Sequence, residues 1–220
     1  MKWLLTLSVY LILWLPMNQL EAQIFVEEKN KPAPADQRGF AVILGMNGFG
    51  FGVAYRKALP GYFSIGGNAE FFIARGEREI SVYDPYTNGY YTLNKPSQLF
   101  FLPVNLEIKK QLFTEVIEEN FQPHIFLQGG AMIGMNFPDK RYYEIRGEPV
   151  PPREFKVTYN LVIGIGADIV SNQSVYLTIR PQYRYVYFPQ TIAGQSNHSA
   201  FEIFLEFGKQ LRKDKQQKDY

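Results

Sequence analysis

Hydrophobic and polar positions alternate along most of this chain, from residue 40 to residue 207. For example, Leu177 and Ile179 fall on one face of an extended segment, whereas Thr178 and Arg180 fall on the other. A period of two is typical of β-strands, because successive side chains point to opposite sides of the pleat. The alternation therefore predicts an all-β protein.

Eight segments carry this pattern and are predicted as strands. They span approximately 39–47, 49–57, 62–74, 98–110, 121–137, 155–170, 174–188 and 199–209. A tight hairpin is expected at Asn47-Gly48, and the later connections alternate between short turns and the long loops 75–97 and 138–154. Short turns at one end and long loops at the other are typical of outer-membrane barrels. We therefore predict an eight-stranded antiparallel up-and-down transmembrane β-barrel over residues 39–210.

Alternation alone does not show which face points inward, and a soluble lipocalin-like barrel would place the apolar face inside. Three observations favour an apolar outer wall. The apolar rows are long, as in 155–169, and a spanning strand needs about 9–11 residues. The polar face is rich in glycine, which suits the limited space inside eight strands. Its charges also balance. The glycines are Gly45, Gly50, Gly52, Gly66, Gly130, Gly134, Gly164 and Gly166.

Ten charged residues on the polar face are predicted to form an interior charge network. They are Arg56, Lys109, Lys156, Arg180 and Arg184, with Glu70, Glu107, Asp168, Glu202 and Glu206. Buried charges need partners, because an unpaired one costs several kcal/mol. If the last hairpin folds about residue 193, Arg184 lies opposite Glu202, and Arg180 lies opposite Glu206.

The two ends of the chain differ from the barrel segment. Residues 1–22 combine a positive start, a short apolar core and a small residue, Ala22, which predicts a cleavable signal peptide. We interpret 23–38 as a periplasmic linker and 211–220 as a polar tail. Export together with a barrel predicts the bacterial outer membrane as the location.

Composition narrows the function further. The net charge is only +2, which argues against a nucleic-acid partner, and the chain has no cysteine for disulfides or thiolate metal sites. Aromatic residues make up 16% of the chain, and many lie near the predicted strand ends, where membrane barrels carry aromatic girdles. The loop-side set is Phe71, Phe137, Phe155, Tyr183, Tyr185 and Tyr187, and the turn-side set is Phe40, Tyr55, Phe63, Phe121 and Phe207.

Three segments resemble small bacterial outer-membrane β-barrels of the OmpA/OmpX-like superfamily, in particular the porin-like barrels of Bacteroidetes-type envelopes. They are Gly45-Met-Asn-Gly-Phe-Gly-Phe-Gly52, Leu102-Pro-Val-Asn-Leu-Glu-Ile108 and Phe201-Glu-Ile-Phe-Leu-Glu-Phe-Gly208. The resemblance covers roughly 39–209 and implies a membrane barrel fold. Such families usually end on the aromatic residue of the last strand, whereas Phe207 is followed here by a charged extension.

No catalytic, metal or cofactor site is predicted. His124 falls on the inward face with no serine nearby, and we interpret it as a core histidine. The long loops carry the candidate surface contacts, which are Tyr83, Tyr86, Tyr90, Tyr91, Tyr142 and Tyr143.

We expect a monomeric, non-enzymatic barrel with a plugged interior, which contributes envelope integrity or surface contacts through its loops. Its expected partners are outer-membrane lipid and other envelope proteins. The alternatives are an accessory subunit of an outer-membrane secretion or uptake complex, a soluble ligand carrier, and an enzyme acting on lipid or peptide.

Overall fold

The computed structural model describes residues 35–75, 81–86, 88–92, 97–114, 120–147, 149–171 and 174–211. The strands are β1 Asp36–Gly45, β2 Gly48–Leu59, β3 Phe63–Arg75, β4 Ser81–Asp84, β5 Gly89–Thr92, β6 Ser97–Gln111, β7 Phe121–Pro138, β8 Glu154–Ser171, β9 Val175–Ile192, β10 Gln195–Asn197 and β11 Ala200–Leu211. A short helix, α1, spans Lys140–Arg146, and a turn of 3₁₀ helix spans Pro60–Tyr62.

Eight of these strands form one closed antiparallel sheet. Each pairs with the next in the order β1, β2, β3, β6, β7, β8, β9 and β11, and β11 pairs back with β1. The predicted eight-stranded up-and-down barrel is therefore confirmed. The three additional strands were not predicted. Strands β4 and β5 form a hairpin in the loop after β3, and β10 pairs with the end of β9.

The ends of the barrel differ from the predicted boundaries by a few residues. Strand β1 begins at Asp36, which pairs with Leu211, so the last three residues of the predicted linker 23–38 belong to the barrel. The boundary at 39 was wrong because Gln37, which precedes the obvious apolar run, faces the interior and is buried. The predicted signal peptide, most of the linker and the tail beyond Leu211 lie outside the described residues.

The strands are strongly tilted, as the register shows. If paired residues are followed once around the barrel from Gln37 on β1, the path ends at Ala200 on β11. The β1–β11 register places Ala200 level with position 47, which is ten residues beyond Gln37, so the stagger of the barrel is ten residues. The circuit runs Gln37, Arg56, Gly66, Glu107, Gln128, Val162, Arg184, Ala200. With standard strand spacings, ten residues over eight strands correspond to a tilt of about 40°. Side chains fill the interior of a barrel of this size.

The apolar residues lie on the outer wall. On β8, Tyr159 is 84% exposed and Ile165 is 61% exposed, whereas Val162 and Asp168 are fully buried on the inward face. Ile163, which would face the axis of a soluble carrier, is also exposed. Among the described residues, no helix is both long and apolar enough to span a membrane. The outward orientation excludes the soluble lipocalin-like alternative, because that fold buries its apolar face.

The barrel interior has two layers. The half nearer the short turns contains the charged layer, which is described below. The half nearer the long loops contains an apolar layer, built from Ala41, Ile43, Phe72, Ala74, Leu99, Phe101, Met132, Val186, Phe188, Ile192 and Phe204. The sequence analysis missed this second layer. The signal was present, because Leu99-Phe-Phe-Leu102 is apolar without interruption, as expected where both faces of a strand are covered.

Candidate functional site

The charged layer brings together nine of the ten side chains that the sequence predicts inside. Five carboxylates face four cationic groups, and all nine residues are buried. They are Arg56 on β2, Glu70 on β3, Glu107 and Lys109 on β6, Asp168 on β8, Arg180 and Arg184 on β9, and Glu202 and Glu206 on β11. Because each of these charged groups is removed from water, its charge must be balanced by ion pairs and hydrogen bonds with its neighbours.

Arg56 lies at the centre of the first cluster. Its Nε donates to Glu107 in a short ion pair, and its Nη1 and Nη2 donate to the two carboxylate oxygens of Glu206 at 2.7 and 2.8 Å. Arg180 donates to both oxygens of Glu107 at 2.9 and 3.2 Å. Tyr176 donates its hydroxyl hydrogen to Glu206. Two arginines and two glutamates from four strands therefore neutralise one another.

Arg184 lies at the centre of a second cluster, nearer the apolar layer. Its Nη2 lies 2.6 Å from Glu70 Oε2, and its Nε lies 2.8 Å from Glu202 Oε1. Its Nη1 donates to Asn160 Oδ1 at 3.3 Å. Gln182 donates to the second oxygen of Glu202 at 2.7 Å. One guanidinium therefore joins carboxylates that lie on β3 and β11.

The predicted register of the last hairpin was wrong by two residues. Arg184 lies opposite Ala200 on β11, and Glu202 lies opposite Gln182. Arg184 reaches Glu202 diagonally, while Arg180 contacts Glu107 rather than Glu206. The error arose because β10 and the turn at Ala193 and Gly194 make the loop asymmetric, so the hairpin does not fold about its midpoint.

Lys109 and Asp168 form the third cluster, closest to the short turns. Lys109 Nζ lies 2.6 Å from Asp168 Oδ2 and 2.9 Å from Gln37 Oε1. Thr178 donates to Asp168 Oδ1 at 2.7 Å, and His124 Nδ1 lies 3.5 Å from the same oxygen. His124 is 1% exposed. The histidine and the carboxylate are therefore shielded from any substrate outside the barrel.

Lys156 does not join the charged layer, contrary to the prediction. It is only half-buried and lies near the loop end of β8, where its Nζ donates to Gln190 Oε1 at 2.7 Å. The period of two placed it on the correct face, but periodicity gives no height along the barrel axis. Along the barrel axis, Lys156 lies closer to the loop end than Met132 of the apolar layer does, and it is far from the carboxylates near the turns.

Glycines on the inward face make room for the charged side chains. A Cβ on Gly66 would lie 2.1 Å from the carbonyl oxygen of Tyr55 and 2.7 Å from the Cα of Arg56. A Cβ on Gly39 would lie 2.5 Å from Glu206 Oε1 and 2.8 Å from the Tyr176 hydroxyl oxygen. These distances are shorter than van der Waals contact, so neither position has room for a side chain without displacement of its neighbours.

His198 covers the loop end of the apolar layer. Its ring centroid lies 5.2 Å from that of Phe101 and 5.6 Å from that of Phe188, and both contacts are edge-to-face. Its backbone nitrogen donates to Val186 O at 3.1 Å, which attaches the loop to β9. Burial lowers the pKa of His198 below its ordinary value of 6.5, because the charged form would lose water.

The loops place some of the predicted tyrosines at the surface. Tyr83 and Tyr90 pair across the β4–β5 hairpin with ring centroids 5.4 Å apart, and Tyr83 donates to Asn88 Oδ1 at 2.5 Å. Tyr86 at the tip is 96% exposed, and Tyr90 is also exposed. The side chains of Tyr91 and Tyr142 lie outside the described part of the structure.

Tyr143 is buried, with 4% exposure, so its predicted role as a surface contact is wrong. It lies in α1, which begins after the N-cap Asp139 and ends at Gly147 in the left-handed conformation. Asp139 accepts a hydrogen bond from the Arg141 backbone at 3.0 Å. The sequence analysis took 138–154 as irregular loop, and a short helix buries one face that a loop would expose.

The outer wall carries a row of contacting phenylalanine rings near the loop end. Successive centroids lie 5.4 to 6.0 Å apart from β2 to β8. The rings are those of Phe51, Phe71, Phe100, Phe137 and Phe155. The guanidinium of Arg153 lies 5.5 Å from the Phe137 ring. Aromatic rings at this position, with a cation above them, suit the boundary between hydrocarbon and headgroups.

Within the described residues, no group of three or more His, Cys, Asp or Glu side chains is arranged to hold a metal ion. The acidic groups of the charged layer are instead bound to arginine and lysine. The geometry of the charged layer is therefore that of a cross-barrel brace, which joins strands distant in sequence through ion pairs.

The closed sheet and its apolar wall together define a class of protein. In hydrocarbon every backbone hydrogen bond must be satisfied internally, and a closed barrel does so without leaving an edge. The wall is apolar and the charges lie inside, which is the arrangement of a transmembrane β-barrel. The chain is therefore a small barrel of the outer membrane.

No protein-family model and no curated protein matches the chain. Solved structures that match include Neisserial surface protein A, at 10% identity and a TM-score of 0.49, over 81% of this chain and 96% of that one. The N-terminal β-barrel domain of Pseudomonas aeruginosa OprF matches at 8% identity and a TM-score of 0.49, over 82% and 100%. Ail of Yersinia pestis matches at 14% identity and a TM-score of 0.44, over 80% and 97%. The strand pairing itself defines the closed eight-stranded barrel.

Proposed function

We propose that this chain is a non-enzymatic, monomeric outer-membrane barrel with a sealed interior. Its role is structural support of the envelope, together with surface contacts made by loops 75–97 and 138–154. Its main partner is membrane lipid. The narrower resemblance to porin-like barrels of Bacteroidetes-type envelopes belongs to the same proposal and stays a prediction.

The observation that carries this proposal is the two-layer interior. Ions and solutes would have to pass both layers in series. The charged layer is joined by direct ion pairs of 2.6 to 2.9 Å, such as Lys109–Asp168 and Arg180–Glu107. The apolar layer above it contains Phe188 and Phe204, both fully buried and with Phe188 stacked 5.9 Å from Phe101. A packed apolar layer is a barrier to ions, because it offers them no replacement for water.

The buried state of His124 supports a non-enzymatic role. The side chain that most resembles a general base has 1% exposure, and its charged neighbour Asp168 is fully buried. Chemistry on a lipid or peptide would need this pair to reach a substrate. The loops support surface contact instead, since Tyr86 and Tyr90 expose large aromatic rings of the kind enriched at protein interfaces.

Conductance in planar lipid bilayers tests the sealed interior. The full chain, refolded and shown to be native by its faster migration on an unheated gel, should give no steady channels above background. A variant that opens both layers, with Phe188→Ser and Phe204→Ser in the apolar layer and Glu107→Ser and Arg180→Ser in the charged layer, should conduct, which shows that insertion can be detected. Steady single-channel steps from the unaltered chain would overturn the proposal.

A further inference from the structure

The wall of the barrel is incomplete between β8 and β9 near the long loops. The ladder that joins these strands ends at Asn160 and Val186, although β8 begins at Glu154 and β9 continues to Ile192. The last part of β9 pairs instead with β10, through Ile192–Gln195 and Tyr187–Asn197. The first six residues of β8 therefore keep their ladder to β7 alone.

Side chains replace the missing backbone ladder. Thr158 Oγ1 donates to Tyr187 O at 2.6 Å, Lys156 Nζ donates to Gln190 Oε1 at 2.7 Å, and Glu154 Oε2 accepts from Ala193 N at 2.8 Å. These longer connections hold the strands farther apart than backbone hydrogen bonds would. The wall therefore has a gap between β8 and β9, which these side-chain hydrogen bonds cross at separate points.

A cleft of about 310 Å³ occupies this gap. Its lining combines outward and inward residues, so it penetrates the wall rather than lying along its surface. The lining residues are Phe155, Lys156, Val157, Phe188, Pro189 and Gln190. On the outer side, Phe155 and Val157 are 60% and 69% exposed, so the cleft opens on the lipid-facing side of the barrel. Its volume equals that of about ten water molecules, which suits part of an acyl chain.

One cation, Lys156, lies in the lining of this cleft beside four apolar residues. Lys156 lines it and is bound to an uncharged amide, and among the described residues it has no carboxylate within 4.0 Å. Arg153 lies on the other side of β8, where its guanidinium is over the Phe137 ring of β7, so it does not line the cleft. Phe155, which belongs to the aromatic row, places the cleft at the boundary between hydrocarbon and headgroups. A lysine beside exposed apolar side chains at this depth is complementary to a molecule with an anionic head and a hydrocarbon tail.

We propose that the β8–β9 cleft is a binding site for one anionic membrane lipid. Lys156 binds the phosphate of the headgroup, and an acyl chain lies against Phe155 and Val157 at the outer side of the cleft. This site goes beyond the sealed-barrel proposal and does not depend on it, since a barrel that conducts ions could still hold a lipid in its wall.

Fluorescence quenching by brominated lipids tests the site. The only tryptophans, Trp3 and Trp14, are replaced by phenylalanine in the full chain, and Phe155→Trp provides a single reporter beside the cleft. The barrel is reconstituted into phosphatidylcholine vesicles that contain brominated phosphatidylglycerol or brominated phosphatidylcholine in equal amount. Quenching at the cleft should favour the anionic lipid by about fivefold, the effect of one basic residue near the headgroups.

Matched variants separate the site from general attraction to the membrane surface. Lys156→Gln should remove most of the preference, whereas Lys110→Gln, at a lysine over the Phe63 ring on the turn side, should leave it unchanged. A reporter at Ile179→Trp, on the wall away from the cleft, should show equal quenching by both lipids. Heat-modifiable migration verifies the fold of every variant.

Equal quenching at the cleft by both lipids, or a preference that survives Lys156→Gln, would overturn the proposal. So would native mass spectrometry that finds a polypeptide, added as a strand to the free edge of β8, in place of a lipid. Conductance measurements on the same preparations report on the sealed interior alone, so failure of one proposal is distinguishable from failure of the other.

Discussion

Replacing Arg184 with methionine should destabilise the barrel more than replacing any single charge on its surface. The guanidinium is the shared partner of Glu70 and Glu202, at 2.6 and 2.8 Å, and both carboxylates are buried. Methionine keeps much of the side-chain volume but leaves two carboxylates without a cation. Loss of one partner of a buried pair costs about 3–5 kcal/mol, so we expect Arg184→Met to lower the free energy of unfolding by at least about 3 kcal/mol.

The measurement is urea unfolding of the full chain in lipid vesicles, with the folded fraction read from unheated gel migration. The triple variant Arg184→Met, Glu70→Gln and Glu202→Gln provides the control, because it removes the two unpaired charges together with their partner. It should recover more than half of the lost stability. A loss below about 1 kcal/mol for Arg184→Met, or no recovery in the triple variant, would refute the assignment of Arg184 as a shared buried partner.

Three further predictions follow from the interior. The charge exchange Arg184→Glu with Glu202→Lys should fail to restore stability, because the new carboxylate at 184 would lie beside Glu70. Full rescue in the same urea assay would contradict the Arg184–Glu70 contact. Gly39→Val should lower the free energy of unfolding by about 1–3 kcal/mol, because the new side chain would collide with Glu206. Gly129→Ala should change it by less than about 0.5 kcal/mol, because the nearest contact of a Cβ there would be at 3.8 Å. Equal effects of the two substitutions would show that Gly39 is not confined. His198 is held neutral by burial, so its contribution should be complete above its ordinary pKa of 6.5 and decline as pH falls below it, since the unfolded chain then binds the proton more readily. His198→Phe should reduce the difference in unfolding free energy between pH 7.5 and pH 5.0, and an unchanged difference would contradict this.

The fold could be predicted from the sequence because the alternation of polar and apolar residues, the loop lengths and the number of strands can each be identified from short stretches of the chain. The period of two alone predicted that Glu70, Asp168 and Glu206 lie inside the barrel and that Ile163 lies outside, and their burial agrees with this. Glycines such as Gly66 and Gly130 fall where the backbone of a neighbouring strand leaves no room for a Cβ, which explains why the inward face is rich in them.

Features that depend on register and height could not be obtained in this way. Arg180 was paired with the wrong glutamate because the β9–β11 register depends on the β10 turn, which carries no strong sequence signal. Lys156 has the correct parity but lies at the wrong depth for the charged layer. The apolar layer was missed because inward and outward residues such as Phe101 and Phe100 are chemically alike there, and alternation disappears.

The uncharged partners of the network were missed for a related reason. Gln37, Asn68 and Gln128 bind Asp168, Glu70 and Glu107, at distances between 2.7 and 3.1 Å. Charge counting cannot detect amides. The ten-residue stagger places Gln37 of β1 and Gln128 of β7 within reach of carboxylates on other strands, which becomes visible only when the barrel is closed, whereas Asn68 binds Glu70 on its own strand, β3.

The orientation of the two faces is the claim on which all else depends, and oxygen accessibility of spin labels measures it most directly. The chain has no cysteine, so single cysteines can be placed in turn at positions 161 to 165 of β8 and labelled in lipid vesicles. We predict high oxygen accessibility at Leu161, Ile163 and Ile165, and low accessibility or no labelling at Val162 and Gly164. The opposite alternation, with the odd positions shielded and the even positions in lipid, would contradict the account.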